Sequence, residues 1–318
     1  GKFMRKLVIS TSSFDIQDNS SLNYLVNSGM HIVCNNYKRK LTEDEVIELL
    51  GEDAIGMIAG IEPLTERVFS SAKNLKVISR CGAGLNSVAL DAAKLHGISV
   101  FNTPEAPAQA VAELTIGLML TALRRICQTD RMLRTNEWPR MQGQLFAAQT
   151  VGIIGLGHIG KRVAHLSQAF NAAVIAHDPY IDPTLHGVDS VLLDELFAKA
   201  DIISLHLPYT TDTHHLLDAK SIACMKPGSI IINTARGGLI DESALDEALI
   251  SGHLGMAALD VFEHEPYYGP LIKNDKLILT SHIGSLAKES RKCMELEAAE
   301  NLLKGLINSG LIKGQANV

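Results

Sequence analysis

The 318-residue chain has no strong excess of either charge: 29 Lys and Arg stand against 35 Asp and Glu, a formal net charge of -6. Without a broad basic field there is little to attract phosphate backbones or anionic lipid, so neither nucleic acid nor a membrane surface is expected as a partner. Uninterrupted apolar stretches of bilayer-spanning length are also missing. Cysteine is sparse: Cys34, Cys81, Cys127, Cys224 and Cys293 are scattered with no C-x-x-C spacing. An odd number in so long a chain argues against a disulfide framework and for a reducing compartment, so the expected location is cytoplasmic. The opening Gly1-Lys2-Phe3-Met4 reads as a cloning remnant ahead of Met4, and Leu7-Val8-Ile9 is too short for the apolar core of a signal peptide. Aromatics reach only 5%, and no solenoid repeat or low-complexity tract interrupts the chain.

What is present is an aliphatic protein, 46% hydrophobic, of a length that one core rarely serves. Two domains are therefore expected. Short apolar runs bounded by Gly, Asn or Pro alternate with segments of helical period, the rhythm of βα units around parallel sheets. In the first hundred residues strands are expected at Leu7–Ser10, His31–Cys34, Ala54–Ala59, Val77–Ser79 and Ile98–Phe101, a flavodoxin-like pattern. From Ala106 to Arg134 the pattern is helical, and its apolar part, Val111–Leu123, belongs to neither series and needs a surface to cover it. A second series begins at Thr150 with TVGIIGLGHIG and continues through AAVIAHDP, ADIISLHLP, GSIIINTARG, MAALDVF and KLILTSHIG. Those six strands are the number of a complete dinucleotide-binding fold. A last helix is expected over Lys288–Leu306.

Gly155, Gly157 and Gly160 form G-x-G-x-x-G directly after the strand Val151–Ile154 and at the start of a helix expected over His158–Phe170. Glycine-rich turns alone are common. Between a strand and a helix, however, the first glycine makes the tight turn and the second admits a pyrophosphate to the backbone. The third lets helix pack on strand, and the helix N-terminus supplies amide donors. The next strand, Ala173–His177, ends in Asp178, about 20 residues on, where a carboxylate can accept bonds from ribose hydroxyls and repel a 2′-phosphate. No Arg or Lys follows in Asp178-Pro179-Tyr180 to compensate, so NAD is expected as cofactor.

Three polar residues fall just past later strands of this series: Arg236 in NTARGG, Glu265 in DVFEHEP and His282 in TSHIGS. Ligands of open α/β sheets bind at those strand ends. Reducing a ketone by hydride transfer builds negative charge on its oxygen, so a proton donor with a pKa near the working pH is needed, and imidazolium suits. His282 takes that role, Glu265 would fix its tautomer and favour its protonated form, and Arg236 would bind a carboxylate and the developing alkoxide. Singly each residue is ordinary at a strand end. Their joint placement after strands of one nucleotide fold is not.

The segments RCGAGLNSV, NTPEAPAQAVAE, TVGIIGLGHIGKRVA, HLPYTTDTHHL, MKPGSIIINTARGGLIDESAL, ALDVFEHEP and SHIGS together resemble the D-isomer-specific 2-hydroxyacid dehydrogenases, and their phosphoglycerate dehydrogenase branch in particular. The resemblance covers nearly the whole length. It implies two Rossmann-like or flavodoxin-like parallel-sheet domains with the active site in the cleft between them. The substrate-binding domain would be residues 1–102 plus 286–318, and the NAD-binding domain 103–285, with a dimer arm at 106–150 and a homodimeric assembly. Arg236, Glu265 and His282 match the family's catalytic residues. Gly155, Gly157, His158, Ile159, Gly160, Asp178, Pro208, Thr234, Ala235, Arg236, Asp260, His282 and Gly284 match its NAD contacts, Asp260 holding the nicotinamide carboxamide. Gly82, Ala83 and Gly84, with Arg236 and His282, match its substrate contacts, the loop offering backbone amides to the substrate carboxylate. No metal is implied.

Departures from the family pattern bear on the substrate. Asn86-Ser87-Val88-Ala89 stands where Asp-Asn-Ile-Asp is common, and Gly60-Ile61-Glu62-Pro63 has no Arg to hold a phosphate. Arg124, Arg125, Arg131, Arg134 and Arg140 read better as a solvated helix face than as a source of charge across a dimer. No regulatory domain is expected after Val318. The first reading is D-3-phosphoglycerate dehydrogenase, with glyoxylate or hydroxypyruvate reduction nearly level. An NAD-sensing corepressor-like interaction protein is the alternative of another class, and an alanine dehydrogenase a third. The intact Arg236, Glu265 and His282 favour catalysis.

Overall fold

The computed structural model describes residues 5–314. The opening four residues, read as a remnant, and the stretch ending at Val318 lie outside the described residues. The chain divides into two compact units, one running to Pro107 and resuming at Ala287, the other spanning Ala108–Leu286. The division falls later than the expected 102 and 285. Residues 103–107 stay with the first unit, where Thr103 Oγ1 accepts the Gly82 amide at 2.8 Å.

The first unit contains β1 (Arg5–Ile9), α1 (Ser20–Asn27), β2 (Met30–Cys34), α2 (Glu43–Leu50), β3 (Ala54–Ala59), α3 (Glu66–Ser71), β4 (Val77–Arg80), α4 (Leu90–Leu95) and β5 (Ser99–Phe101). Its five strands are parallel in the order β2-β1-β3-β4-β5. The central β3, AIGMIA, is buried at every position, because helices cover both faces of such a sheet. Helix α2 starts at a capping box in which Thr42 and Glu45 satisfy each other's backbone amides.

The second unit opens with α5 (Ala108–Arg124) and α6 (Ile126–Arg134), parted by Arg125 in the left-handed region at φ 56°. It continues through β6 (Thr150–Ile154), α7 (His158–Ala169), β7 (Ala173–His177), β8 (Asp189–Ser190), α8 (Leu193–Lys199), β9 (Ile202–Leu205), α9 (Ala219–Ala223), β10 (Ser229–Asn233), α10 (Glu242–Ile250), β11 (Leu254–Leu259) and β12 (Leu277–Leu279). The parallel order is β12-β11-β10-β9-β6-β7-β8. The direction of winding reverses between β6 and β9, which places the ligand crevice of an open sheet outside their carboxyl ends. Six strands are expected from the sequence and seven are found. The extra one, β8, is two exposed residues pairing with Ile175 and Ala176, and carries no apolar run to announce it.

The expectation that Val111–Leu123 belongs to neither sheet is corrected. Helix α5 lies in the core of the second unit, with Ile116, Leu118, Met119 and Leu123 buried beside Ile153, Val163 and Ile232. Burying four such side chains contributes about 8 kcal/mol gross, as much as the net stability of many domains. A helix worth that much to its own unit needs no other surface. After the second unit, α11 (Lys288–Asn308) returns to the first, where Met294, Ala298, Leu302 and Leu306 recur every four residues and are buried. Ser79 of β4 donates to the Ala298 carbonyl at 2.6 Å and fixes the helix against the sheet.

Candidate active site

The turn between β6 and α7 carries the three glycines. Gly155 adopts φ 94°, and a Cβ there would lie 2.6 Å from the His206 carbonyl oxygen. At Gly160 a Cβ would lie 2.0 Å from the Gly155 oxygen, so helix and turn meet at van der Waals limits. Gly157, the N-cap of α7, has nothing within 4 Å of its missing side chain. That open cradle at a helix N-terminus is what a pyrophosphate requires. His158 and Ile159 form the first turn of α7, His158 exposed and Ile159 partly packed on the core.

Asp178, one residue past β7, braces this turn. Its Oδ2 accepts the Leu156 amide at 2.6 Å, and its Oδ1 accepts those of Tyr180 at 2.8 Å and Ile181 at 2.9 Å. Burial pushes its pKa up, but the three amides outweigh it and hold the carboxyl below its usual range. A carboxylate has about four acceptor sites, so one remains on Oδ2 for a ribose hydroxyl.

Past β9, His206 leads to Pro208, whose carbonyl accepts the Thr213 hydroxyl at 3.0 Å. The His206 ring contacts Ser204 Oγ through Nε2 at 2.7 Å, and burial drives its pKa down to about 3. This imidazole is therefore neutral at physiological pH. It is not a candidate acid.

Past β10, the Asn233 side chain closes a short turn, accepting the Ala235 amide at 3.0 Å and donating to the Arg236 carbonyl at 2.9 Å. Thr234 is buried, with Oγ1 2.9 Å from Thr115 Oγ1 of α5. Arg236 donates from Nη1 to the Ala235 carbonyl at 2.7 Å. Burial lowers its pKa and the nearby Glu265 opposes that. A guanidinium keeps its charge through such a shift.

Past β11 and β12 the residues expected to be catalytic, Glu265 and His282, meet. His282 Nδ1 is hydrogen-bonded to Glu265 Oε1, with the histidine side chain 51% exposed and the glutamate 32%. His282 has φ 55°, a conformation non-glycine residues rarely hold, and Asp260 stabilises the turn around it. Asp260 is 1% exposed. Its Oδ1 accepts the Thr280 hydroxyl at 2.6 Å and the Ile283 amide at 2.9 Å, and its Oδ2 the Gly284 amide at 2.9 Å. The hydrogen bond to Glu265 raises the His282 pKa most, burial opposes it, and the charges of Glu265 and Asp260 add to the rise while Arg236 lowers it. For Glu265, burial pushes up but the His282 bond and charge prevail and lower the pKa.

The structure thus brings Arg236, Glu265, His282 and Asp260 within electrostatic reach of one another at the carboxyl ends of β10, β11 and β12. The loop Gly82, Ala83 and Gly84, expected to contact substrate, lies in the first unit, after β4. Gly82 spends its amide on Thr103 and Ala83 its carbonyl on Asn102, at 2.8 and 2.9 Å. The Gly82 N–H is thus engaged within the loop, and the amides of Ala83 and Gly84 are the loop's other candidates. Sequence reasoning missed Thr115, Asn233 and Thr280. Thr115 alone left a trace, as one of three polar residues, with Glu113 and Thr121, in the largely apolar run Val111–Leu123.

The family description "D-isomer specific 2-hydroxyacid dehydrogenase, NAD binding domain" matches residues 116–284. The chain is similar to a hydroxypyruvate reductase of Thermotoga maritima, 40% identical over 84% of this chain and 89% of that one. It is also similar to a D-3-phosphoglycerate dehydrogenase of Methanocaldococcus jannaschii, 41% identical over 84% of this chain and 52% of that one. The chain spans about half the length of the curated D-3-phosphoglycerate dehydrogenases it matches. Among solved structures, a glyoxylate reductase from Paecilomyes thermophila superposes with a TM-score of 0.86 at 32% identity, covering 97% of each chain.

Proposed function

The chain belongs to the D-isomer specific 2-hydroxyacid dehydrogenases, and from that membership we propose that it interconverts a small D-2-hydroxy acid and its 2-oxo acid with NAD. The observation that carries this reading is the His282–Glu265 bond beside Arg236. The cradle at Gly157, the α7 N-terminus and the remaining acceptor on Asp178 fit the coenzyme's pyrophosphate and adenosine ribose. Thr234, Ala235, Pro208 and Gly284 are candidates to line its nicotinamide end. Asp260 has at most one acceptor site left for the carboxamide, since three are used inward. When bound there, NAD would supply the hydride acceptor and NADH the hydride donor.

The protein's own groups handle charge and protons. With Nδ1 committed to Glu265, His282 presents Nε2 to the substrate oxygen, donating a proton in reduction and accepting one in oxidation. Glu265 stabilises the imidazolium that this requires. The Arg236 guanidinium pairs with the substrate carboxylate and offsets charge on the reacting oxygen.

For the finer identity we propose the D-3-phosphoglycerate and 3-phosphohydroxypyruvate pair, supported by the similarity to the Methanocaldococcus jannaschii protein. A second reading, reduction of hydroxypyruvate or glyoxylate, is favoured by the Thermotoga maritima relative and by the stretch 60–63. There Glu62 is the charged residue and is buried, bonded to Ser10 Oγ and the Gly60 amide. A homodimer in the cytoplasm completes the proposal; no helix among the described residues is long and apolar enough to cross a membrane.

The test is a spectrophotometric screen with NADH and NADPH against phosphohydroxypyruvate, hydroxypyruvate, glyoxylate, pyruvate and 2-oxoglutarate. NADH-dependent turnover of a three-carbon or two-carbon acid is expected, and the ratio for the phosphorylated and free hydroxypyruvates decides between the two readings. His282→Ala should lower kcat by about 10²–10⁴-fold. Wild-type turnover in that variant would remove the proton-donor role.

A further inference from the structure

A second histidine–carboxylate pair lies in the same unit, on the connection from β9 to α9. His214 and His215 stack with ring centroids 3.8 Å apart, and the Tyr209 hydroxyl is 2.8 Å from His214 Nδ1. His215 adopts φ 49°. Its amide donates to the Gly238 carbonyl at 2.8 Å, and its ring Nε2 is bonded to Glu263 Oε1. Those two partners belong to different loops. Gly238 follows Arg236 by two residues, and Glu263 precedes Glu265 by two.

The loops are pressed together where His215 spans them. A Cβ on Gly237 would lie 2.0 Å from the Phe262 carbonyl carbon and 2.5 Å from the Glu263 amide nitrogen, and one on Gly238 would lie 2.3 Å from the Tyr209 ring. Charge acts the other way. Glu242, at the start of α10, accepts the Glu263 backbone amide at 3.1 Å, and the charge of Glu263 acts on its carboxyl. Burial raises the Glu242 pKa, the Glu263 amide lowers it, the charge of Glu263 raises it again, and His264 and His215 lower it. His215 and His264 are the counterweights to that like-charge pair, and only His215 also grips the Arg236 loop.

We propose that His215 is a positioning residue that clamps the Glu265 loop to the Arg236 loop through Glu263 and Gly238, keeping Glu265 in register with His282. This rests on the reading of Arg236, Glu265 and His282 as the catalytic set. An ordinary exposed ion pair would contribute little to stability and nothing to the chemistry. A clamp acts on geometry, where displacements near an ångström cost large factors in rate.

The variant His215→Asn separates the two. Asparagine tolerates the left-handed conformation and keeps the amide bond to Gly238, but is too short to reach Glu263. Glu263→Ala breaks the same bond from the other side and serves if the first variant does not fold. Glu263→Gln keeps an acceptor in place and should restore most of the effect. The primary readout is the His282 titration midpoint from ring-proton NMR of the folded protein, assigned by the signal lost in His282→Ala; it needs neither substrate nor coenzyme. The midpoint should move to lower pH in His215→Asn and Glu263→Ala, and return toward wild type in Glu263→Gln. In turnover, kcat for reduction should fall about tenfold with the Kd for NADH unchanged. An unmoved His282 midpoint in variants that fold overturns the clamp, whatever happens to their melting temperature. Failure of the wild-type protein to reduce any acid in the screen would overturn the functional reading, and the NMR midpoint would still decide the clamp.

Discussion

His282 holds a left-handed backbone conformation that costs of order 1–3 kcal/mol and persists only where neighbours enforce it. Asp260 enforces it through the amides of Ile283 and Gly284, so the turn that aims the imidazole is built before any ligand arrives. Glu265 then sets the proton affinity. Its bond raises the His282 pKa above the usual imidazole value. In the proposed mechanism reduction needs the imidazolium, so its rate should be full below that raised pKa and be lost as pH climbs through it, with oxidation running the opposite way. In Glu265→Gln an acceptor remains but the charge that raises the pKa is gone, so the alkaline limb of the reduction profile should move to lower pH, with kcat down about tenfold or more. A limb that stays in place would show that Glu265 does not govern the proton. At this scale Arg236, Glu265 and His282 were legible because each follows an apolar strand that marks where a sheet ends. The inward commitments of Asp260 and Gly82 were not, because a bond to a backbone amide or a hydroxyl leaves no mark in the sequence around its acceptor.

Strands and helices with strong periodicity declared themselves, and those without it did not. The apolar runs of β3, β6 and β10 are readable from composition alone, whereas β8 has two exposed polar residues and exists because β7 offers an edge. Helix α5 was legible as a helix but not as a core element: apolar on most of its circumference, it could have faced anything, and only packing on α7 and the sheet decides. Asp178 shows how elements cooperate. It ends β7, yet its Oδ2 grips the amide of Leu156 inside the turn between β6 and α7. In Asp178→Ala both the brace and the ribose acceptor disappear. The Kd for NADH should rise by about tenfold, the equivalent of one charge-assisted hydrogen bond, and discrimination against NADPH should relax as the repelling charge is lost. Isothermal titration with both coenzymes checks this, and an unchanged preference would remove Asp178 from coenzyme selection.

Each of the two units has its own sheet and its own buried cores. The arm at 106–150 is different after α5. Ile126, Leu133, Trp138, Met141 and Leu145 are 50, 52, 79, 42 and 69% exposed over a span of twenty residues. Scattered exposed apolar side chains are normal, but a tryptophan among four aliphatic ones on one segment has the composition of an interface anchor. The arginines of the same arm do not argue against this, since Arg134 is paired with Asp130 four residues earlier and so belongs to a solvated face. A stable interface buries roughly 1,600 Å², and each large anchor truncated at its centre typically costs 2 kcal/mol or more. Replacing Trp138 and Leu145 together by Asp should therefore shift a dimer to monomer at micromolar concentration. Sedimentation velocity would show the mass halved, with the far-UV spectrum and the melting of each unit little changed because no core is touched. A wild-type protein that sediments as a monomer at high concentration would remove the homodimer and leave those side chains to another partner.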